Sequence, residues 1–393
     1  MTVAHFSPPA KGRHGAFAYT WDIVGDPAAP ARLAGLGVDT VTVQAAYHSV
    51  RAITPWHPRH RIVHATHAAG YFRLRPERWP GLRPPAPSWG VEDPDPFGSA
   101  VAALAAEGLR VEAWLVLTHS SILGAADLTV RNAYGEAYPH ALCPARPAVR
   151  DYALGLVREV CEQYDVPALM LEACGWLGFD HGGAHEKTSG ADLSPCGRAL
   201  LSICLCDACT VALADRGLDV EALIRNVRSA IDLELQQGVR SGDSLADVLG
   251  ADRAKALYDH RATVVASLLA EISTIACGHE LLVMATDDPQ VTGPDVGVDF
   301  VGMAALRAPV DAYVLKCWGE EEPAVARIKA AAARTDMPLV ANVTVLEGRP
   351  RDVPSLVGRL VAAGASELRY YHAGLASPAR LAALRSAVCL EVV

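Results

Sequence analysis

No stretch of this sequence approaches the roughly 18 consecutive apolar residues that a membrane-spanning helix needs. The opening residues, MTVAHFSPPAKGRHG, contain no apolar run of signal-peptide length. The expected location is therefore cytoplasmic. Positive charge is scarce. Lys and Arg number 35 against 44 Asp and Glu, for a net charge of −9, which argues against a nucleic-acid partner held through phosphates. Ten cysteines in 393 residues are too few for a disulfide scaffold, and in a reducing compartment they are expected to be buried or metal-bound. The 32 glycines and 26 prolines follow no repeat, which excludes collagen-like and low-complexity chains. Half the residues are hydrophobic (51%), enough for a large core, so disorder is excluded as well.

What is present is an alternation. Eight short apolar runs stand at 15–21, 39–47, 109–117, 167–173, 280–286, 311–318, 338–346 and 367–374. Near-continuous apolar runs are what parallel strands covered on both faces look like. Between them lie Ala/Leu/Arg-rich stretches at helical spacing, such as DPFGSAVAALAAEGLR and RPAVRDYALGLVREVCEQYDV. Eight strand–helix repeats predict a (β/α)8 barrel, a TIM barrel, over the whole chain. A doubly wound open sheet is the alternative, disfavoured because no GxGxxG follows the first strand. Two connections exceed ordinary loop lengths. Residues 48–100, rich in Pro, His and aromatics, read as a loop insertion on the catalytic face. Residues 174–279 read as a helical insertion, with long helices near 219–240 and 251–276, pinned by a metal. Both follow the C-terminal end of a strand, where barrel enzymes place their active sites.

Strand four, ALMLEACGW, carries one charge, Glu172, near its C-terminal end. A carboxylate in an apolar strand is costly unless paired or used. It is a structural ion pair or a catalytic acid, base or nucleophile. Glycoside hydrolysis needs a second carboxylate, about 5–5.5 Å away for retention or 6.5–9.5 Å for inversion. The candidates at strand ends are Asp287, Asp288, Glu347 and Asp22. Aromatic and imidazole groups gather at the same ends: Trp21, Tyr47, His48, His119, Trp176, His181, Trp318, Tyr371 and His372. Such groups suit a sugar-like ligand, stacking on its C–H faces and bonding its hydroxyls, and Asp22 could join them.

The most specific spacing is CLCDAC, with thiols at Cys204, Cys206 and Cys209. It predicts a tetrahedral structural zinc site at a loop–helix junction, the fourth ligand being Cys143 or, second, Cys196. A competing metal site is FDHGGAHEK, where His181 and His185 are four apart and Glu186 follows, but its glycines oppose a helix. Lys316, at the end of strand six, reads as a counter-ion to a barrel carboxylate, or alternatively as a Schiff-base amine.

Three segments resemble the family 42 β-galactosidases and related hypothetical barrel hydrolases. CPARPAVRDYALGLVREV is similar to the Cys-Pro segment and helix that precede their strand-four catalytic residue. LMLEACGW stands where they carry an Asn-Glu acid/base. CLCDAC resembles their zinc-binding CxCxxC element. The likeness spans residues 140–210. It implies that Cys143, Cys204, Cys206 and Cys209 bind structural zinc and that Glu172 is the general acid/base. Two departures stand out. Leu171 replaces the Asn, and ANVTVLEG has no nucleophile within the strand, so Glu347 would lie beyond the family's place for it. If Glu172 is instead the nucleophile, Asp287 or Asp288 would be the acid. The expectation is a hydrolase acting on a glycosidic bond, with other barrel lyases, isomerases or aldolases and a non-catalytic carbohydrate-binding barrel as rivals. The expected partners are an oligosaccharide or small-molecule substrate and, at most, further copies of the chain.

Overall fold

The computed structural model describes residues 13–390 except 91, 121, 124–126 and 181–186. Eight parallel strands form the barrel: β1 (Arg13–Ala18), β2 (Thr40–Tyr47), β3 (Arg110–Val116), β4 (Ala168–Glu172), β5 (Glu280–Met284), β6 (Ala312–Lys316), β7 (Leu339–Thr344) and β8 (Glu367–Tyr371). Each pairs with its neighbours in chain order, and β8 pairs back onto β1, so the sheet closes. The predicted TIM barrel is the observed fold. Every residue of β2 and β4 is buried: β4 is apolar up to Glu172, and the alternating Thr40, Thr42 and Gln44 of β2 are polar groups inside the fold.

Helices follow in order: α1 (Ala29–Ala34), α2 (Pro96–Ala106), α3 (Pro147–Gln163), α4 (Pro195–Leu201), α5 (Asp207–Asp215), α6 (Val220–Gln237), α7 (Leu245–Leu249), α8 (Ala251–Ile275), α9 (Phe300–Ala305), α10 (Glu321–Ala332), α11 (Val353–Ala362) and α12 (Pro378–Val388). Among the described residues no helix is long and apolar enough to cross a membrane. Start signals are local: Asp95 accepts from Gly98 N at 3.1 Å and Ser194 from Gly197 N at 3.0 Å, each with Pro in the first turn.

The floor of the barrel is ionic. Arg369, fully buried, donates to Glu112 Oε1 at 2.8 Å and Glu367 Oε2 at 2.9 Å, and Thr42 donates to Glu112 Oε2 at 2.8 Å. Burial would raise the Glu112 carboxyl, but Arg369 and Thr42 outweigh it and hold the group below its ordinary range. Thr42, Glu112 and Glu367 lie on the N-terminal halves of their strands, the end that serves stability in this fold, and Arg369 at the middle of β8.

The segment read as a loop over 48–100 contains structure of its own. Val50–Ile53 and Ile62–Ala65 form an antiparallel hairpin, and Ala69–Gly70 pairs antiparallel with the end of β2. Ile62–Ala65 does alternate between exposed and buried, but such four-residue strands fall below what periodicity reveals. The segment 174–279 holds α4–α8. Leu200, Ile203, Leu223, Val227, Ile231 and Leu245 build a second core there, apart from the barrel core.

Candidate active site at the barrel mouth

Glu172 is the last residue of β4 and 7% exposed. Its Oε2 accepts a 2.8 Å hydrogen bond from Nε1 of Trp114, which is fully buried on the adjacent β3. Burial pushes the carboxyl from its ordinary 4.5 to about 7. Lys316 and the Trp114 N–H oppose the rise, and Asp295 adds to it. At neutral pH this group both holds and releases a proton, as an acid/base must.

Asp295, which the sequence reading passed over, supplies the second carboxylate acting on Glu172. It is buried, and burial raises its carboxyl against the pull of Lys316 and Arg327. It sits in VTGPDVGVD, where neither periodicity nor a strand end marks it. The backbone places it. Thr118 Oγ1 donates to the carbonyls of Ala173 and Gly175, both at 2.8 Å, turning the chain after Glu172. Gly175 then meets Val296 so closely that a Cβ there would stand 1.7 Å from the Val296 oxygen. Only glycine admits this approach, and it carries Asp295 to the mouth. Lys316, the last residue of β6, is the cation both carboxyls feel, and it lies 5.0 Å from the centre of the Trp318 ring.

An aromatic collar surrounds Glu172. Tyr19 stacks on His372 at 4.1 Å and Tyr47 meets Trp114 edge-on at 4.3 Å. The Tyr47 and Tyr371 hydroxyls are 3.2 Å apart, and Tyr371 packs on Trp318 at 4.4 Å. Burial, and further the Glu172 charge, push the hydroxyls of Tyr19, Tyr47 and Tyr371 well above their ordinary value, so all three remain donors. His48 stacks on Tyr47 at 4.1 Å and approaches His119 at 4.9 Å. Burial lowers His372, whose ring nitrogens have no protein partner. Thus Tyr47, His48, His119, Lys316, Trp318, Tyr371 and His372 do gather at one mouth.

Other expected site residues lie elsewhere. Strand one ends at Ala18, and Trp21 and Asp22 fall in a one-turn helix, Thr20–Ile23, because Asp22 Oδ2 takes the Tyr19 N–H at 2.8 Å. Burial raises the Asp22 carboxyl to about 7, opposed by that N–H and by Arg32. The group locks the end of β1 against Gly374, where a Cβ would stand 2.2 Å from Asp22 Oδ2. Asp288 is exposed and accepts from Gln290 N at 2.8 Å, an Asx turn, and Asp287 beside it is half-buried. The charges acting on Glu172 are those of Lys316 and Asp295. Glu347 is exposed beyond β7, yet its charge acts on Tyr371, as does that of Glu172. Trp176 is buried away from the collar, with its Nε1 donating to Cys143 Sγ at 3.2 Å. His181, His185 and Glu186 lie outside the described residues.

Four buried cysteines, Cys143, Cys204, Cys206 and Cys209, bring their sulfurs within 4.8 Å of one another. From Cys143 Sγ the distances are 3.5 Å to Cys209, 3.7 Å to Cys206 and 3.8 Å to Cys204. Cys206 caps α5 and Cys209 lies in its first turn, the loop–helix junction that the spacing predicts. Cys196 belongs to the separate core of the insertion and is not part of the cluster. Arg146 lies in the field of Cys206 and Cys143, and buried Arg261 in that of Cys204 and Cys209.

No known sequence family matches the chain, and no curated protein does. Solved structures do. A β-galactosidase from the psychrophilic Marinomonas ef1 is 11% identical, with a TM-score of 0.55 over 96% of this chain and 59% of that one. A chitinase from Chromobacterium violaceum is 11% identical, with a TM-score of 0.45 over 97% and 100%. A glucosidase from Croceicoccus marinus is 10% identical, with a TM-score of 0.42 over 96% and 67%. The chain spans about three-fifths of the galactosidase's length. At such identity the likeness is one of fold, and it agrees with the strand pairing: this chain is a closed (β/α)8 barrel similar to that of the galactosidase.

Proposed function

We propose that the chain is a glycoside hydrolase in which Glu172 is the general acid that protonates the leaving oxygen. The observation that carries this reading is the Glu172 carboxyl itself. It stands at the C-terminal end of β4, is raised to about 7, and is ringed by aromatic faces and neutral hydroxyl donors. Asp295 is the companion carboxylate acting on it, and Lys316 stabilises negative charge on both. Glu347, whose charge acts on Tyr371, is the nucleophile candidate, from a place beyond the one the galactosidase resemblance implies. The Schiff-base alternative draws no support from Lys316, whose surroundings are those of a counter-ion to two acids.

Zinc belongs to the same proposal. Thiolates about 2.3 Å from a tetrahedral zinc ion stand about 3.8 Å apart. The distances of 3.5 to 3.8 Å from Cys143 fit that edge. Cys143, Cys204, Cys206 and Cys209 would fill all four positions, so the ion would be structural. Nearby Arg146 and Arg261 suit an anionic cluster. Trp176 joins the cluster to the chain four residues beyond Glu172.

The test is a screen of aryl glycosides and neutral oligosaccharides with wild type and Glu172→Gln. Hydrolysis of at least one substrate is expected, with a loss of about 10²–10⁴-fold in the variant. Wild-type turnover by Glu172→Gln would overturn the role of Glu172. Failure of every glycoside would overturn the reaction class.

A further inference from the structure

One cavity lies apart from Glu172. It has a volume of about 490 Å³ and lies between the Thr20–Ile23 turn and the 48–100 insertion. That volume falls within the range of about 300–1,000 Å³ usual for small-molecule sites. Trp21, Tyr71, Trp89 and His60 line it, with Arg59 and Glu92 at its rim.

Three features define what it can hold. The rings stand nearly perpendicular to one another. Trp21 meets Tyr71 at 5.4 Å and 69°, Trp21 meets Trp89 at 6.0 Å and 76°, and Trp89 meets His60 at 4.6 Å and 69°. This leaves apolar faces on several sides of one space. Two buried polar groups on the lining residues, Trp21 Nε1 and the Tyr71 hydroxyl, have no protein partner. Unpaired groups of this kind cost stability unless something bonds them. The rim charges offset each other, since Arg59 pairs with Glu92 at 3.5 Å. A cation would meet Arg59 and an anion would meet Glu92.

The geometry points to a saccharide site: this pocket binds a neutral sugar ring, separately from the Glu172 centre. C–H faces stack on the aromatic walls, and hydroxyls satisfy the unpaired indole and phenol. Trp21 also stacks on Tyr19 at 4.4 Å, and Tyr19 on His372, so the two sites share an aromatic wall. The inference concerns binding and does not depend on hydrolysis at Glu172.

The experiment titrates the full chain, as Glu172→Gln to prevent turnover, with cello-, galacto-, xylo- and chito-tetraose by calorimetry and tryptophan fluorescence. Trp89→Ala and His60→Ala are each added to that background. At least one tetrasaccharide is expected to bind, and each variant to weaken it by about tenfold, the size of one lost aromatic contact. Melting temperature and circular dichroism establish that the variants fold. If Trp89→Ala does not, His60→Ala decides alone. Binding unchanged in the folded variants overturns the site, as does no binding by any tetrasaccharide. Trp89-dependent binding of tetramethylammonium instead of sugar overturns it too, in favour of a cation cage. Trp89-dependent sugar binding by a chain that hydrolyses nothing upholds the site while the hydrolase reading falls.

Discussion

The Trp114 indole N–H and Glu172 Oε2 are joined by a 2.8 Å hydrogen bond across adjacent strands β3 and β4. The bond has a directional consequence. An indole nitrogen only donates, so Oε2 is fixed as an acceptor and the acid proton falls to Oε1. Trp114 itself is immobilised by Phe17 at 4.8 Å and Tyr47 at 4.3 Å, both edge-on. The carboxyl is thereby held in one orientation, and among the described residues no charged group is in hydrogen-bond contact with it. Burial therefore governs its protonation, and the two nearest charges tune it.

That tuning is testable in opposite directions. Lys316 lowers the Glu172 carboxyl and Asp295 raises it. Lys316→Met should move the alkaline limb of kcat/KM upward from near pH 7, and Asp295→Asn should move it downward. Shifts of about half to one pH unit are expected for partly screened neighbours. A limb that stays in place in both variants would show that Glu172 is not the group it reports.

Much of this arrangement is readable from sequence, for physical reasons. The eight strands announce themselves because burial on both faces demands apolar runs. Glu172 stands out as the single charge within one of them. The thiols stand out because metal spacing is unlike helical packing. What is hidden depends on contacts across long stretches of chain. Asp295 reaches the mouth only because Gly175 lets Val296 approach. Arg369 and Glu112 form the barrel floor from positions 257 residues apart. Trp176 reads as a collar residue from its position after β4, but the fold buries it away from the collar with its N–H on Cys143. Asp22, expected as a ligand group, gives Oδ2 to the Tyr19 backbone, and its Oδ1 is buried.

Stability should depend on pH through the same carboxyls. Glu172 and Asp22 rise from 4.5 and 3.8 to about 7 in the folded chain. The native state therefore holds protons that the unfolded chain has released. Their contribution is full below about pH 4 and is lost as pH rises through 7. The slope is about 1.4 kcal/mol per pH unit for each group across that window. Denaturation midpoints measured from pH 4 to 8 should fall, and Glu172→Gln or Asp22→Asn should each flatten the fall. Asn at position 22 keeps an acceptor for the Tyr19 N–H.

The cysteine cluster should carry one zinc per chain by elemental analysis. Cys206→Ser should release it and lower the melting temperature, since it removes one of the four thiolates of the proposed site. Cys196→Ser should retain the metal, because Cys196 lies in the separate core. Zinc lost equally from both variants would place the ion elsewhere.

Gly175→Ala tests the link between β4 and Asp295 directly. The added methyl would stand 1.7 Å from the Val296 backbone oxygen, so one of the two segments must shift. Overpacking of this kind costs about 1–3 kcal/mol. The displacement also carries Asp295, next to Val296, away from Glu172. The variant should therefore show a lower melting temperature together with an alkaline limb displaced downward, as Asp295→Asn does. Gly190→Ala, whose methyl meets nothing within 4 Å, should leave both unchanged. Lost stability with an unmoved limb would mean that Asp295 keeps its place when Val296 shifts. The Gly175 contact would then serve packing and not the charge on Glu172.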